Sequence, residues 1–186
     1  GIPGGGFSDL INVEKSDYQV FLKDKISNTY NLCPRKSSLI SHLELATLFF
    51  IRCLNLYSVI DGKICFLLPR SIFTGDQHNY FRRQKFKLEV GFTEIWDLVD
   101  VSNIFNIPSS VLFGSLNRNT KYPIKGKAFS GKLPEKNVVL SQAIKYVKEL
   151  DEKIYLAGNQ ERSFWTNSRE TEIKAYQRSH YKRFFK

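Results

Sequence analysis

Apolar residues recurring at steps of three and four mark the first clear element. Leu45, Leu48, Phe49, Cys53 and Leu56 line one face of a helix that runs to about Tyr57. Ser41 with Glu44 gives it a capping-box start, in which each side chain satisfies a free backbone N–H of the other's turn. Asp61-Gly62 supplies a turn. Lys63 to Leu68 follows as a short, nearly continuous apolar run, which predicts a strand buried on both faces of a parallel sheet. Pro69 ends it, having no N–H for the ladder. Thr74 and Gln77 form a second capping box and open a helix from Gly75 to about Phe86. Phe92 to Val101 and Ser110 to Leu116 read as two further strands. The connector Ser102 to Pro108 is short enough to pair them antiparallel. Helix, strand, loop and helix in series predict an α/β layer fold.

The flanks differ in texture. Gly1 to Gly6 is Gly-rich without the spacing or preceding strand of a dinucleotide loop, and Phe7 to Pro34 is mixed, with a short helix over Asp17 to Lys25. Beyond Asn117, residues Asn119 to Lys136 read as a loop with little core. Leu140, Ala143, Ile144, Val147 and Leu150 mark an amphipathic helix, and Ile154 to Trp165 a strand pair. Glu170 to Lys186 spaces Ile173, Tyr176, His180 or Tyr181, and Phe184 as a helix does. The division this predicts is an unassigned segment at 1–38, an α/β unit at 39–117, and a basic, mainly helical extension at 118–186.

Charge sharpens that division. The net charge is +10, yet residues 1–116 hold 12 Lys/Arg against 11 Asp/Glu, whereas residues 117–186 hold 16 against 7. A one-ended positive field favours a polyanion, with nucleic acid ahead of an anionic membrane surface; a merely solubilising surface is the other reading. At 186 residues and 42% hydrophobic content the chain can bury a core, which excludes disorder as its main state. The most apolar stretch, Leu43 to Ile60, is broken by Arg52, Asn55 and Ser58, so no membrane span is expected, and Gly1 to Leu10, without a basic region followed by an apolar one, does not read as a signal peptide. Cys33, Cys53 and Cys65 lack Cys-x-x-Cys spacing and read as buried free thiols of a cytoplasmic protein. Methionine is absent, even at position 1, which fits a piece of something larger.

Little classical chemistry is present. His42, His78 and His180 have no ligand-spaced partners, so no metal site is expected. There is no Gly-x-Ser-x-Gly elbow and no phosphate-binding Gly-rich loop. The informative segment is Asp61 to Arg83. It places Arg70 and Ser71 at the carboxyl end of a strand, where open α/β sheets bind ligands, with Arg82 and Arg83 on the next helix. It reads either as a loop facing an anionic ligand or as an ordinary strand-to-helix turn.

The run GKICFLLPRSIFTGDQHNYFR, with Leu56 to Pro69 ahead of and within it, resembles the later half of the catalytic domain of N6-adenine DNA methyltransferases, closest to the large restriction-modification methylases. Ile95 to Val101, Ile104-Phe105-Asn106-Ile107-Pro108 and Ser110 to Leu116 extend the resemblance, which covers Leu39 to Asn117 and continues more weakly over Trp165 to Phe185. It implies a partial Rossmann-like sheet, its last strand antiparallel, from an S-adenosylmethionine-dependent enzyme. It also implies that a flipped adenine stacks on Phe105, in the aromatic position before the connector proline, whose other reading is a core hairpin residue. Pro69, Arg70 and Ser71 match the loop over the reaction region. Arg82, Arg83, Arg178, Lys182 and Arg183 are the basic residues expected to meet double-stranded DNA.

The departures are equally specific. Neither the Phe-x-Gly-x-Gly turn that binds S-adenosylmethionine nor the Asn/Asp/Ser-Pro-Pro-aromatic motif is present; the nearest string is Asn106-Ile107-Pro108-Ser109. The expectation is a fragment inactive alone, without cofactor or catalytic residues of its own, whose partners are duplex DNA and the missing half or a specificity subunit. The rivals are a non-catalytic nucleic-acid-binding module, and a structural half that docks on a chain carrying the missing motifs.

Overall fold

The computed structural model describes residues 14–167 apart from 35 and 44. Helix α1 (Lys15–Asp24) continues through a π-helical turn, Lys25–Thr29, and a 3-10 turn over Ser38–His42 precedes α2 (Leu45–Tyr57). Six strands follow: β1 (Lys63–Pro69), β2 (Val90–Ser102), β3 (Ser109–Leu116), β4 (Ile124–Lys132), β5 (Val147–Gly158) and β6 (Ser163–Asn167). A short helix α3 (Asn79–Arg82) lies between β1 and β2, and α4 (Leu140–Tyr146) between β4 and β5. The strands form one mixed sheet in the order β1-β3-β2-β4-β5-β6, in which β2 and β4 are the one parallel pair. The chain is therefore α/β. Among the described residues no helix is long and apolar enough to cross a membrane.

An aromatic cluster joins helices to sheet. Phe50 of α2 meets Phe66, Phe81 and Phe92 edge-on at 5.2, 5.3 and 6.1 Å, and Trp165 of β6 meets Phe92 at 5.6 Å and Phe73 at 5.9 Å. Such tilted and edge contacts suit the ring quadrupoles and hold β6 over the core. The buried stripe of α2 is Thr47, Leu48, Phe50, Ile51 and Leu54. Only Leu48 of the expected stripe is buried; Phe49 and Leu56 are exposed. The helix is apolar on most sides, so periodicity alone does not select the stripe, and Phe50 does. Glu44 of the first capping box lies outside the described residues.

Strand β1 forms as expected but in a different place. It is an edge strand, antiparallel to β3, not one buried between parallel neighbours. Antiparallel partners alternate between pairs that exchange backbone hydrogen bonds and pairs that do not. Leu116 N donates to Gly62 O at 3.1 Å and Arg70 N to Pro108 O at 2.9 Å, so the even residues of β1 bond β3. Lys63, Cys65, Leu67 and Pro69 thus turn their backbone groups toward the other edge, where no described strand pairs. Pro69 is tolerated because its missing N–H falls on that side. Cys65 is consequently exposed, against the expectation of a buried thiol, while Cys33 is buried; all three cysteines are free.

The helix expected over Gly75 to Phe86 is only a 3-10 turn (Asp76–His78) and α3. No side chain caps its start. Gln84, at φ 52°, ends it: Gln84 N donates to Phe81 O and Lys85 N to Tyr80 O, a Schellman closure made without glycine.

The region after Asn117 departs most. Over the described part it is three strands and one short helix, not mainly helix, and the strands continue the same sheet. Residues read as loop form β4. Its inward positions include Gly126, where an added Cβ would lie 2.8 Å from Ile154 Cγ1, so the strand shows little apolar alternation. The expected helix over residues 140–150 stops at Tyr146 and its second half joins β5, pairing Val147 with Gly131. At Gly131, φ 148°, a Cβ would meet Tyr146 O at 2.1 Å, so only glycine admits that junction. The strand pair near Ile154 to Trp165 is present as the β5–β6 hairpin.

Candidate nucleic-acid interface

Because β3 is antiparallel to both β1 and β2, and β4 is parallel to β2, strands β1, β2 and β4 end on one edge of the sheet. Their following loops are tied into a single rim. Arg70 N donates to Pro108 O at 2.9 Å, joining the loop after β1 to the β2–β3 connector. Leu133 N donates to Ser102 O at 3.1 Å, Asn103 Nδ2 to Leu133 O at 2.9 Å, and Lys136 Nζ to Asn106 Oδ1 at 2.8 Å. The predicted substrate loop is therefore bonded to the connector that carries Phe105.

Phe105 is not a core residue. It is 42% exposed at the tip of the connector, beside exposed Ile107 and Pro108. Asn103, at φ 65°, starts the turn that carries it. Below it, Asp97 of β2 engages Arg70 through contacts of 2.8 to 3.0 Å, and the guanidinium lies 5.2 Å from the Phe73 ring. That ion pair fixes Arg70 across the strand ends, so the cation positions the loop. Ser71 sits in the 3-10 turn Arg70–Ile72, its carbonyl accepting from Gly75 N at 2.7 Å. Sequence reasoning missed the pairings of Arg70 with Asp97 and of Lys136 with Asn106, which join residues far apart in the chain through the strand order. Arg70 is neutralised by Asp97, so the exposed apolar surface of Phe105 and Ile107 distinguishes the rim more than charge. Such a rim can hold a π-face and touch phosphates.

Arg82 and Arg83 are placed elsewhere. Arg82, expected to reach DNA, is fully buried: its guanidinium donates to Ile72 O at 2.7 Å, Gly75 O at 2.8 Å and Ser163 O at 2.6 Å. Burial pulls its pKa down to about 10, with Asp76 pulling it back up. Arg83 donates to Asn159 O. Both bind the β5–β6 hairpin, which projects past Ile124 at the end of β4 opposite the rim. Arg178, Lys182 and Arg183 lie outside the described residues.

Near Arg82, Trp165 Nε1 donates to Tyr122 Oη at 3.0 Å and Tyr122 Oη donates to Arg82 O at 3.3 Å. A third of Tyr122 is open to solvent, yet its hydroxyl end is enclosed, and burial raises its pKa against the smaller lowering effects of Trp165, Arg82 and Arg83. The folded state thus holds this proton more tightly than the unfolded one. The stabilisation is complete below the unfolded value of about 10 and is lost as pH rises through the folded value. Urea unfolding between pH 8 and pH 11.5 is expected to show a steeper alkaline loss for the native chain than for Tyr122→Phe; parallel curves would refute it.

No protein-family model and no curated protein sequence matches the chain.

Proposed function

We propose that this chain is the part of a restriction-modification DNA adenine-N6 methyltransferase that receives the target base and contacts duplex DNA. The observation that carries this reading is the half-exposed Phe105 ring on a connector bonded to the carboxyl end of β1, where the Pro69–Arg70–Ser71 loop begins. An exposed ring there supplies a stacking platform worth roughly 1–3 kcal/mol per base and needs no base-specific hydrogen bond. The antiparallel β3 supports the same reading, as does the basic excess, ten Lys/Arg against five Asp/Glu over residues 117–167.

S-adenosylmethionine would be the methyl donor of the whole enzyme, but the residues here do not fit it. The tight glycines near these loops are already filled by protein: Gly75 by Ser71 O and Gln77, Gly131 by Tyr146 O. No open backbone cradle is left among them, and no step of methyl transfer is assigned to this chain.

The test uses a fluorescent duplex carrying 2-aminopurine opposite an abasic site, a base that costs little to unstack. Binding is expected to weaken with salt by roughly 0.9 per phosphate contact on log scales. Phe105→Ala should lower affinity by about 1–3 kcal/mol and abolish the change in 2-aminopurine emission. A flat salt response or an unchanged Phe105→Ala titration refutes the assignment, and methyl transfer by the chain alone refutes the absence of a donor site.

A second reading, the docking half, has its own support. The open edge of β1 carries exposed Leu67 between Lys63 and Pro69 and follows exposed Leu56, Tyr57, Val59 and Ile60, an apolar stretch that leaves the strand's middle open to strand addition. Maleimide labelling of Cys65 should slow when a partner strand adds there; unchanged labelling with a polypeptide carrying the missing motifs excludes this reading.

A further inference from the structure

Away from the rim, α1 and α2 face each other across a groove they do not close. Its lining falls at i, i+3, i+4 and i+7 on both sides: Tyr18, Phe21, Leu22 and Lys25, then Leu45, Leu48, Phe49 and Arg52, with Tyr30 completing it. Leu22, Leu48 and Tyr30 are buried and make the floor. Phe21 and Phe49 stand 51% and 55% exposed and form its two aromatic walls. The cavity is about 320 Å³, at the small end for ligand sites. Among the described residues that line it, Tyr18, Phe21, Tyr30 and Phe49 are aromatic, and the charged ones, Lys25 and Arg52, are both cations. Lys25 Nζ is drawn to the Phe21 ring at 5.3 Å, and among the described residues neither Lys25 nor Arg52 has an ion-pair partner.

We infer that this groove binds a small aromatic anion, an aryl carboxylate or sulfonate, with its ring between Phe21 and Phe49 and its acid group drawn to the cationic rim. Apolar walls with cations, and no acid among the described lining residues, select against a cation and give an anion an advantage over a neutral ring of equal size. A polypeptide segment seated in the groove would exclude such a ligand, and the same measurement separates the two.

The probes are 1-anilino-8-naphthalenesulfonate, an aryl sulfonate, and neutral N-phenyl-1-naphthylamine, each titrated by fluorescence into the full chain. The sulfonate is expected to bind at one saturable site. Lys25→Glu and Arg52→Glu together should weaken it at least tenfold while changing the neutral probe less than twofold. Leu45→Trp, which fills the groove, should abolish both. Absence of saturable sulfonate binding, equal response of both probes to charge reversal, or full binding by a folded Leu45→Trp variant would each overturn the inference; were that variant unfolded, the charge-reversal pair still decides.

Discussion

Exchanging Arg82 for methionine is expected to cost about 3–5 kcal/mol of stability, a large share of the roughly 5–15 kcal/mol typical of a domain. Two effects compete. Burying a guanidinium is unfavourable, as its lowered pKa shows, and apolar replacement of buried ions is sometimes neutral when the whole group of charges is replaced together. Here the partners are backbone carbonyls of Ile72, Gly75 and Ser163, which no substitution removes. Hydrogen bonds from a charged donor contribute about 1.5–3 kcal/mol each, and a buried carbonyl left without a donor adds its own desolvation cost. The loss therefore outweighs the relief. Arg82→Lys should recover less than half, because a single ammonium does not span three carbonyls in a fixed fork. Equilibrium urea unfolding checks this, and a loss below about 1 kcal/mol for Arg82→Met would show that the carbonyls find other donors. Arg82 also acts on the rim at a distance. It anchors the turn that follows Pro69–Arg70–Ser71, so, on the proposed function, Arg82→Met should weaken DNA binding by loosening Arg70, although Arg82 itself is sealed inside.

That burial illustrates where the sequence stops being readable. An arginine beside a loop is by default a solvated cation, and Arg82 and Arg83 are alike in sequence; only the return of β6 over Phe73 and Phe81 decides which is enclosed. Strands β2 and β3 were legible because each alternates and the connector is short. Strand β1 was legible as a strand, but a continuous apolar run does not reveal whether a face is covered, and Cys65 and Leu67 are not. Strand β4 carried almost no apolar signal because the neighbouring strand's Ile154 fills the space at Gly126. Val147 and Leu150 fit both a helical and a strand period, and the choice was made by Gly131, sixteen residues before Val147. At the rim, Arg70 was legible as the residue that leaves the strand after Pro69, and Phe105 was marked by the resemblance alone, three residues before Pro108. Asp97 and Lys136 were not, since nothing local reports which distant residues they pair with.

Substituting proline at two adjacent positions of β1 is expected to give opposite results. Phe66 is an even residue: its N–H belongs to the β3 ladder and its ring packs on Phe50 at 5.2 Å. Phe66→Pro should cost about 3 kcal/mol for the backbone, on top of the about 3–5 kcal/mol that Phe66→Ala loses by removing the ring. Leu67 is odd. Its N–H faces the open edge and its side chain is half exposed, so Leu67→Pro should cost only about 1 kcal/mol. Pro69, two residues on, already occupies an equivalent position. Urea unfolding of the three variants isolates the ladder contribution as the difference between Phe66→Pro and Phe66→Ala. Equal damage from Leu67→Pro would mean that the odd positions also bond within the protein. A mild Leu67→Pro is in addition a tool for the docking reading: it removes a donor from the open edge while leaving β3 paired, so a partner strand that adds to β1 should lose affinity for a chain that remains folded.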